Sequence, residues 1–306
     1  GNEIAKLEAS IYIEEQRLLA YWSSQIGDNF LPLHHLYKML LELDFALARA
    51  RYGYWLSGVA PKLKEEAEAP FLIKDFRHPL LVWQEHYNQG SKVIPITFEV
   101  SSTLKVLAIT GPNTGGKTVA IKSFGLAILM SKFGLLLPCA GQPSLPWCNQ
   151  VLADIGDEQS LEQNLSTFSG HIVRITRILD SISKFPGPSI VLLDELGAGT
   201  DPTEGTALAT ALLMSLADRA RLTIATTHFG ELKALKYSDS RFENASVGFD
   251  SETLKPTYYL HWGIPGRSNA IEIARRLGLD SIILDRAQTL ITPNGLQNVD
   301  HVIRAL

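Results

Sequence analysis

The sequence is poor in several features, and each shortage removes a class of answer. Its 306 residues include only two cysteines, Cys139 and Cys148, too few for a disulfide framework, so a hydrophobic core must hold the fold and a reducing, cytoplasmic setting is expected. No apolar run reaches the roughly twenty residues that a bilayer span requires. The longest, FGLAILMSKFGLLLPC, is interrupted by Ser131 and Lys132, and no signal-peptide pattern opens the chain, so a membrane is not an expected partner. Cationic excess is also missing. With 28 Lys and Arg against 32 Asp and Glu the net charge is −4, which excludes nucleic-acid binding by bulk charge and leaves only local contacts for it. Neither internal repeats nor low-complexity tracts stand out.

What remains is a chain that is 45% hydrophobic and long enough for about two domains. Residues 3–26 place Ile4, Leu7, Ile11 and Leu18 on one helical face. After the breaker GDNFLP, a second helix is expected from near Pro32, with Leu33, Leu36, Leu40, Leu43 and Leu47. Residues 1–60 therefore read as a helical hairpin too small to bury both faces alone. KLKEEAEAP mixes charge with a terminal proline, and 61–70 reads as a linker. Beyond it, strand and helix patterns alternate to about Ile291, giving an α/β domain over 71–306 with a mostly parallel sheet flanked by helices. The tail TPNGLQNVDHVIRAL reads as a loop and a short amphipathic piece.

ITGPNTGGKT has the spacing G-x-x-x-x-G-K-[ST] from Gly111 to Thr118, that of a phosphate-cradling P-loop. Backbone N–H groups of Gly111, Asn113, Thr114, Gly115 and Gly116 would surround a polyphosphate, with Pro112, which has no N–H, as part of the loop. Lys117 adds a point charge at the β/γ-phosphates and the Thr118 hydroxyl a ligand for Mg²⁺. The flanks agree: LKVLAI is a buried-strand pattern, and VAIKSFGLAILMSKFG has helical spacing.

In SIVLLDELGAGTDPTEG, Ile190 to Leu193 form an expected strand, and Asp194 at its carboxyl end is where a Mg²⁺-holding carboxylate belongs. Glu195 follows at once and could polarise the attacking water, because successive residues point in different directions. LTIATTHFGEL ends a third apolar run in His228, placed to hydrogen-bond a γ-phosphate or that water. Ser166, Thr167, Ser169 and Gly170 cluster at the expected start of a helix bearing Ile172, Ile175, Ile178 and Leu179. They are either ordinary caps or phosphate donors. ABC-class ATPases use such a helix start to complete a partner's site across a dimer, and the spacing ahead of Asp194 fits that use.

GPNTGGKT, LSTFSGHI, LLDELGAGTDPTEG and ATTHFGEL together resemble the MutS family of DNA mismatch-repair ATPases, most closely its bacterial type-two branch, over about 71–291. Asn113, the Ser166-Thr167-Phe168 run and RHPLL at 77–81 add to the likeness. The resemblance implies an ABC-like P-loop ATPase using ATP and Mg²⁺ and acting as a homodimer on branched or mismatched DNA, with suppression of homologous recombination as its role. Rescue of collided ribosomes, through ribosome or rRNA contacts, is the alternative implied for the same branch. The hairpin would then be a remnant of lever helices that carry a DNA clamp, and nuclease activity would belong to an Smr domain absent after Leu306. The family's base pocket maps onto Val93, with Ile94 beside it, and His261 in YYLHWGIPG.

An ABC-transporter ATPase subunit is the competing class. About 49 positions separate Lys117 from Ser166, short for a transporter's helical subdomain, and LSGGQ does not occur. ATPases with an inserted long coiled coil need far more chain in that interval. A binding module without turnover has no evident use for Glu195.

Overall fold

The computed structural model describes residues 2–87, 92–111, 116–156, 167–250, 255–266 and 270–291. The chain divides into two compact units, Gly1–Tyr52 and Gly53–Leu306. The first is wholly helical. Helix α1 (Asn2–Asp28) and helix α2 (Phe30–Trp55, which runs on past the unit boundary) are separated by Asn29 alone, fitting the two helices expected around the GDNFLP breaker. Every side chain from Asn2 to Tyr52 is exposed, including Leu7 at 64% and Leu40 at 55%, so neither apolar face is buried within this unit.

The second unit is an α/β assembly. In chain order it contains β1 (Lys62–Lys64), β2 (Phe71–Phe76), α3 (Pro79–His86), β3 (Ile96–Val100), β4 (Val106–Thr110), α4 (Lys117–Lys132), β5 (Ala140–Pro146), β6 (Gln150–Asp154) and α5 (Thr167–Lys184). β7 (Ser189–Leu193), α6 (Pro202–Arg219), β8 (Leu222–Thr226), α7 (Leu235–Ser238), β9 (Phe242–Asp250), β10 (Lys255–Trp262), α8 (Ala270–Arg276) and α9 (Ser281–Ile291) follow. A six-stranded sheet has the order β10-β9-β4-β8-β7-β6, and a four-stranded sheet the order β1-β5-β2-β3.

The six-stranded sheet is mostly parallel as expected, but mixed rather than purely parallel, and the second, smaller sheet is mixed as well. β6, β7, β8, β4 and β9 are parallel, but β10 pairs antiparallel with β9. Only positions 251–254 lie between those two strands, too few for the crossover of a dozen or more residues that a parallel pairing demands. The smaller sheet is antiparallel at β2/β3 and β2/β5 and parallel at β1/β5. Within the stretch read as a linker, Lys62–Lys64 thus forms an edge strand. That connector is also tied down by Arg221, 3% exposed, whose guanidinium donates to the carbonyls of Ala67, Ala69 and Leu104 and lies over the Phe71 ring.

The large sheet is buried on both faces, which is why β4, β7 and β8 read as unbroken apolar runs. Alternate residues serve opposite cores. Leu107, Ile109, Ile190, Leu192 and Ile224 join one face with Phe124 of α4, which meets Phe71 and Phe98 edge-on at 5.4 and 5.1 Å. Val106, Val191, Leu193 and Ala225 join the other with Ile175 and Ile178 of α5 and Leu213 and Leu216 of α6. The carboxyl ends of β4, β7 and β8, three adjacent parallel strands, therefore emerge together at one edge between two rigid layers.

Candidate nucleotide site

Three strand ends deliver the charged residues. From β4 the chain passes Gly111 and returns at Gly116 to start α4 with Lys117. Gly116 has φ +89°, and a Cβ there would meet Tyr258 Cδ1 at 2.5 Å, so both backbone and space call for glycine. Pro112, Asn113, Thr114 and Gly115 lie outside the described residues. Lys117 is 2% exposed; its Nζ donates to the Gly111 carbonyl at 2.6 Å and stands 3.5 Å from His228 Nδ1. Burial pushes the ammonium pKa down to about 8, with Glu195 and Asp194 opposing the fall. A desolvated cation beside glycine backbone is a place for a polyphosphate.

Asp194 follows β7, and both its oxygens are engaged. Thr118 Oγ1 donates to Oδ2 at 2.7 Å and Thr226 Oγ1 to Oδ1 at 2.5 Å, while its own N–H reaches the Asp154 carbonyl at 2.9 Å. Thr118 and Asp194 thus stand together as a pair of hard oxygen donors. That number suits Mg²⁺, which is usually held by one or two protein oxygens with substrate phosphates and water completing its shell. Among the described residues no cluster of three or more His, Cys, Asp or Glu could hold a metal by itself.

Glu195 has φ 53°, in the left-handed region that glutamate rarely adopts. Its Oε1 lies 3.8 Å from His228 Nε2, so the imidazole bridges the space between Glu195 and Lys117. Burial lowers the His228 pKa and nearby Lys117 lowers it further, against the opposing pull of Glu195, so the ring is neutral at pH 7. A neutral imidazole can donate to one group and accept from another. Downstream of Glu195, Asp201 caps α6 by accepting from the N–H groups of Thr203 and Glu204.

Val93 and Ile94 line a cleft together with Val119 and Ser123 of α4, His78 and Tyr258. Ser123 is fully buried, and both its hydroxyl and His78 Nδ1 lack any hydrogen-bond partner. Unpartnered buried polar atoms are costly, and a ligand with polar edges would satisfy them. Ser123 lies about 9 Å along the helix from Lys117 at 1.5 Å per residue, a spacing that suits a ribose and one phosphate. His261, expected on sequence to sandwich the base, does not line this cleft: it pairs with Ser246 across β9/β10 and its Nε2 faces Gly248. Tyr258, three residues earlier, lines the cleft instead, and only its aromatic ring distinguishes it in the sequence.

Ser166 lies outside the described residues, and Thr167 begins α5, so Ser169 and Gly170 stand in its first turn rather than ahead of it. That turn is anchored by Asp154, 2% exposed, which accepts from His171 Nδ1 at 2.7 Å and from Arg174 Nε. Burial pushes the Asp154 carboxyl up, but those two bonds outweigh it and hold it below the usual carboxylate range. Sequence reasoning passed over Asp154, His171, Arg174 and Thr226.

The family model described as MutS domain V matches residues 107–293, well over half of the chain and all three strand ends. A protein of Synechocystis named Endonuclease MutS2 is 53% identical over 304 residues, which cover 94% of this chain and 37% of that relative. Proteins of the same name from Symbiobacterium thermophilum and Pelotomaculum thermopropionicum are each 48% identical, over 95% and 100% of this chain and 35% and 37% of theirs. The chain spans little more than a third of the length of these relatives.

Proposed function

The chain belongs to the MutS family, through its domain V, and on that premise we propose that it is a MutS2-type ATPase that binds and hydrolyses MgATP at the three strand ends. The observation that carries the reading is the convergence of Lys117, the Thr118–Asp194 pair and the Glu195–His228 pair at one sheet edge, in the unit that also holds the cleft lined by Val93, Ile94 and Tyr258. Gly111 through Gly116 and Lys117 hold the phosphates. Thr118 and Asp194 hold Mg²⁺, which when bound neutralises charge on the β- and γ-phosphoryl oxygens. Glu195 orients and polarises the attacking water, and neutral His228 hydrogen-bonds that water or the γ-phosphate. The base lies between Tyr258 and the Val93–Ile94 wall.

Ser166, Thr167, Ser169 and Gly170 complete the site of a second copy, so turnover needs a homodimer with two composite sites. In the whole protein, ATP turnover by residues 71–306 would control, through the 61–70 connector and the helices of 1–60, a dimer that binds branched or mismatched DNA and suppresses homologous recombination. The relatives are named endonucleases, and we place any nuclease activity in parts of the whole protein outside the matched third. Glu195→Gln is the test. MgATP affinity should stay within a few-fold, turnover should fall at least about 100-fold, and sedimentation should show an ATP-held dimer. Hydrolysis at the parent rate would overturn the role of Glu195, and a monomer at high protein concentration with ATP bound would overturn the composite site.

A further inference from the structure

Thr226, the last residue of β8, is completely buried between the two acids at the end of neighbouring β7. A hydroxyl has one proton to give and two lone pairs to offer. Here the proton goes to Asp194 Oδ1 at 2.5 Å, and one lone pair receives the Glu195 N–H at 2.7 Å. The grip continues on the other side of Glu195, where the Leu196 N–H donates to the Thr226 carbonyl at 2.9 Å. One residue thus holds the peptide groups on both sides of Glu195.

That hold explains how a glutamate stays at φ 53°. A left-handed conformation is costly for a residue with a Cβ and persists only where its surroundings over-determine it. In an extended conformation the carboxylate would follow the strand's alternation; in the left-handed turn it comes within 3.8 Å of His228. Thr118 already holds the other Asp194 oxygen, so the Thr226 hydroxyl also settles how that carboxylate is rotated.

We infer that Thr226 is a positioning residue: its single hydroxyl locks Asp194 in the orientation that receives a divalent cation and Glu195 in the strained turn that aims it at the reacting water. The inference rests on the ATPase reading and adds a residue that touches neither nucleotide nor metal.

Thr226→Val keeps the shape and deletes the hydroxyl, whereas Thr226→Ser keeps the hydroxyl. In the full protein the valine variant should lose about 10- to 100-fold in kcat, with KM for ATP within about threefold and a higher Mg²⁺ concentration for half-maximal rate. Calorimetry gives a readout apart from turnover: metal-free ATP should bind as to the parent, while the gain in affinity on adding Mg²⁺ shrinks. Serine should restore most of both. In the Glu195→Gln background the valine change should cost much less of the remaining rate. Parent-like kcat and Mg²⁺ dependence in the valine variant, or a serine variant no better than valine, would overturn the role. Should valine not fold, Thr226→Ala, which leaves room for a water, carries the same expected losses. If Glu195→Gln itself hydrolyses ATP normally, the ATPase reading of Glu195 fails; if it is slow while valine is normal, only the role of Thr226 fails.

Discussion

Replacing Lys117 with methionine should make the nucleotide-free protein more stable while removing its function. The side chain is 2% exposed, and burial pushes its pKa from the ordinary 10.5 to about 8. At 1.36 kcal/mol per unit, keeping the ammonium inside costs about 3 kcal/mol relative to a neutral group of the same shape. A lysine with a depressed pKa binds fewer protons folded than unfolded between about pH 8 and 10.5, so the parent's stability rises with pH across that window and the full cost is present below it. Methionine has no proton to lose. The variant should therefore exceed the parent by up to about 3 kcal/mol at pH 7, and the gap should close by pH 11. Urea unfolding at pH 7, 9 and 11 measures it. With MgATP at 100 times Kd the gap nearly closes, since the parent gains about 2.7 kcal/mol and the variant gains nothing. A variant less stable than the parent at pH 7, by an amount that does not change with pH, would refute the reasoning.

Tyr258→Ala should weaken ATP binding about 5- to 150-fold, since one base–aromatic stack is worth about 1–3 kcal/mol, and leave inorganic tripolyphosphate binding unchanged. His261→Ala should alter neither, and competition titrations with the two ligands separate the outcomes. Arg221→Ala strips three carbonyls, two of them in buried hydrogen bonds, of their donor and should cost about 3 kcal/mol in urea unfolding; a loss under about 1 kcal/mol would mean that the connector is held by other contacts.

The sequence showed best what depends on neighbours along the chain. The P-loop spacing, the apolar runs of β4, β7 and β8 and the acids after Leu193 are local patterns, and β4 and α4 lie where they put them. The four-stranded sheet was not legible because its pairings join Lys62–Lys64 to Ser144–Pro146 and Phe71 to Val100 with no local signal at either partner. That Tyr258 and not His261 lines the cleft has a sharper cause. The β9/β10 register slips between Pro256 and Leu260, and Tyr258 sits at φ 57° within that irregularity. Counting by twos along a strand predicts which face a residue occupies only while the pleat is regular. The bonds of Thr226 were hidden for another reason: a threonine at the end of an apolar run is an ordinary β residue until the strand beside it is known.

Asp154 joins two parts of the site that stand on different elements, the first turns of α5 and the end of β7. Its carbonyl accepts the Asp194 N–H at 2.9 Å, and its side chain holds His171 and Arg174, three and four residues beyond Phe168 and Gly170 respectively in the first turns of α5. The helix start proposed to serve a second copy is thus fixed, through one buried carboxylate, to the strand end that carries the metal aspartate. Such a mount matters because phosphoryl transfer depends on positioning, and a donor displaced by about 1 Å can cost about 100-fold. A simple helix cap would need no such anchor: a serine or threonine at the helix start satisfies its own backbone donors wherever the helix lies. Tying His171 and Arg174 to the edge of β7 fixes where the turn stands as well as whether it is capped, and position is what a second subunit's phosphate would register.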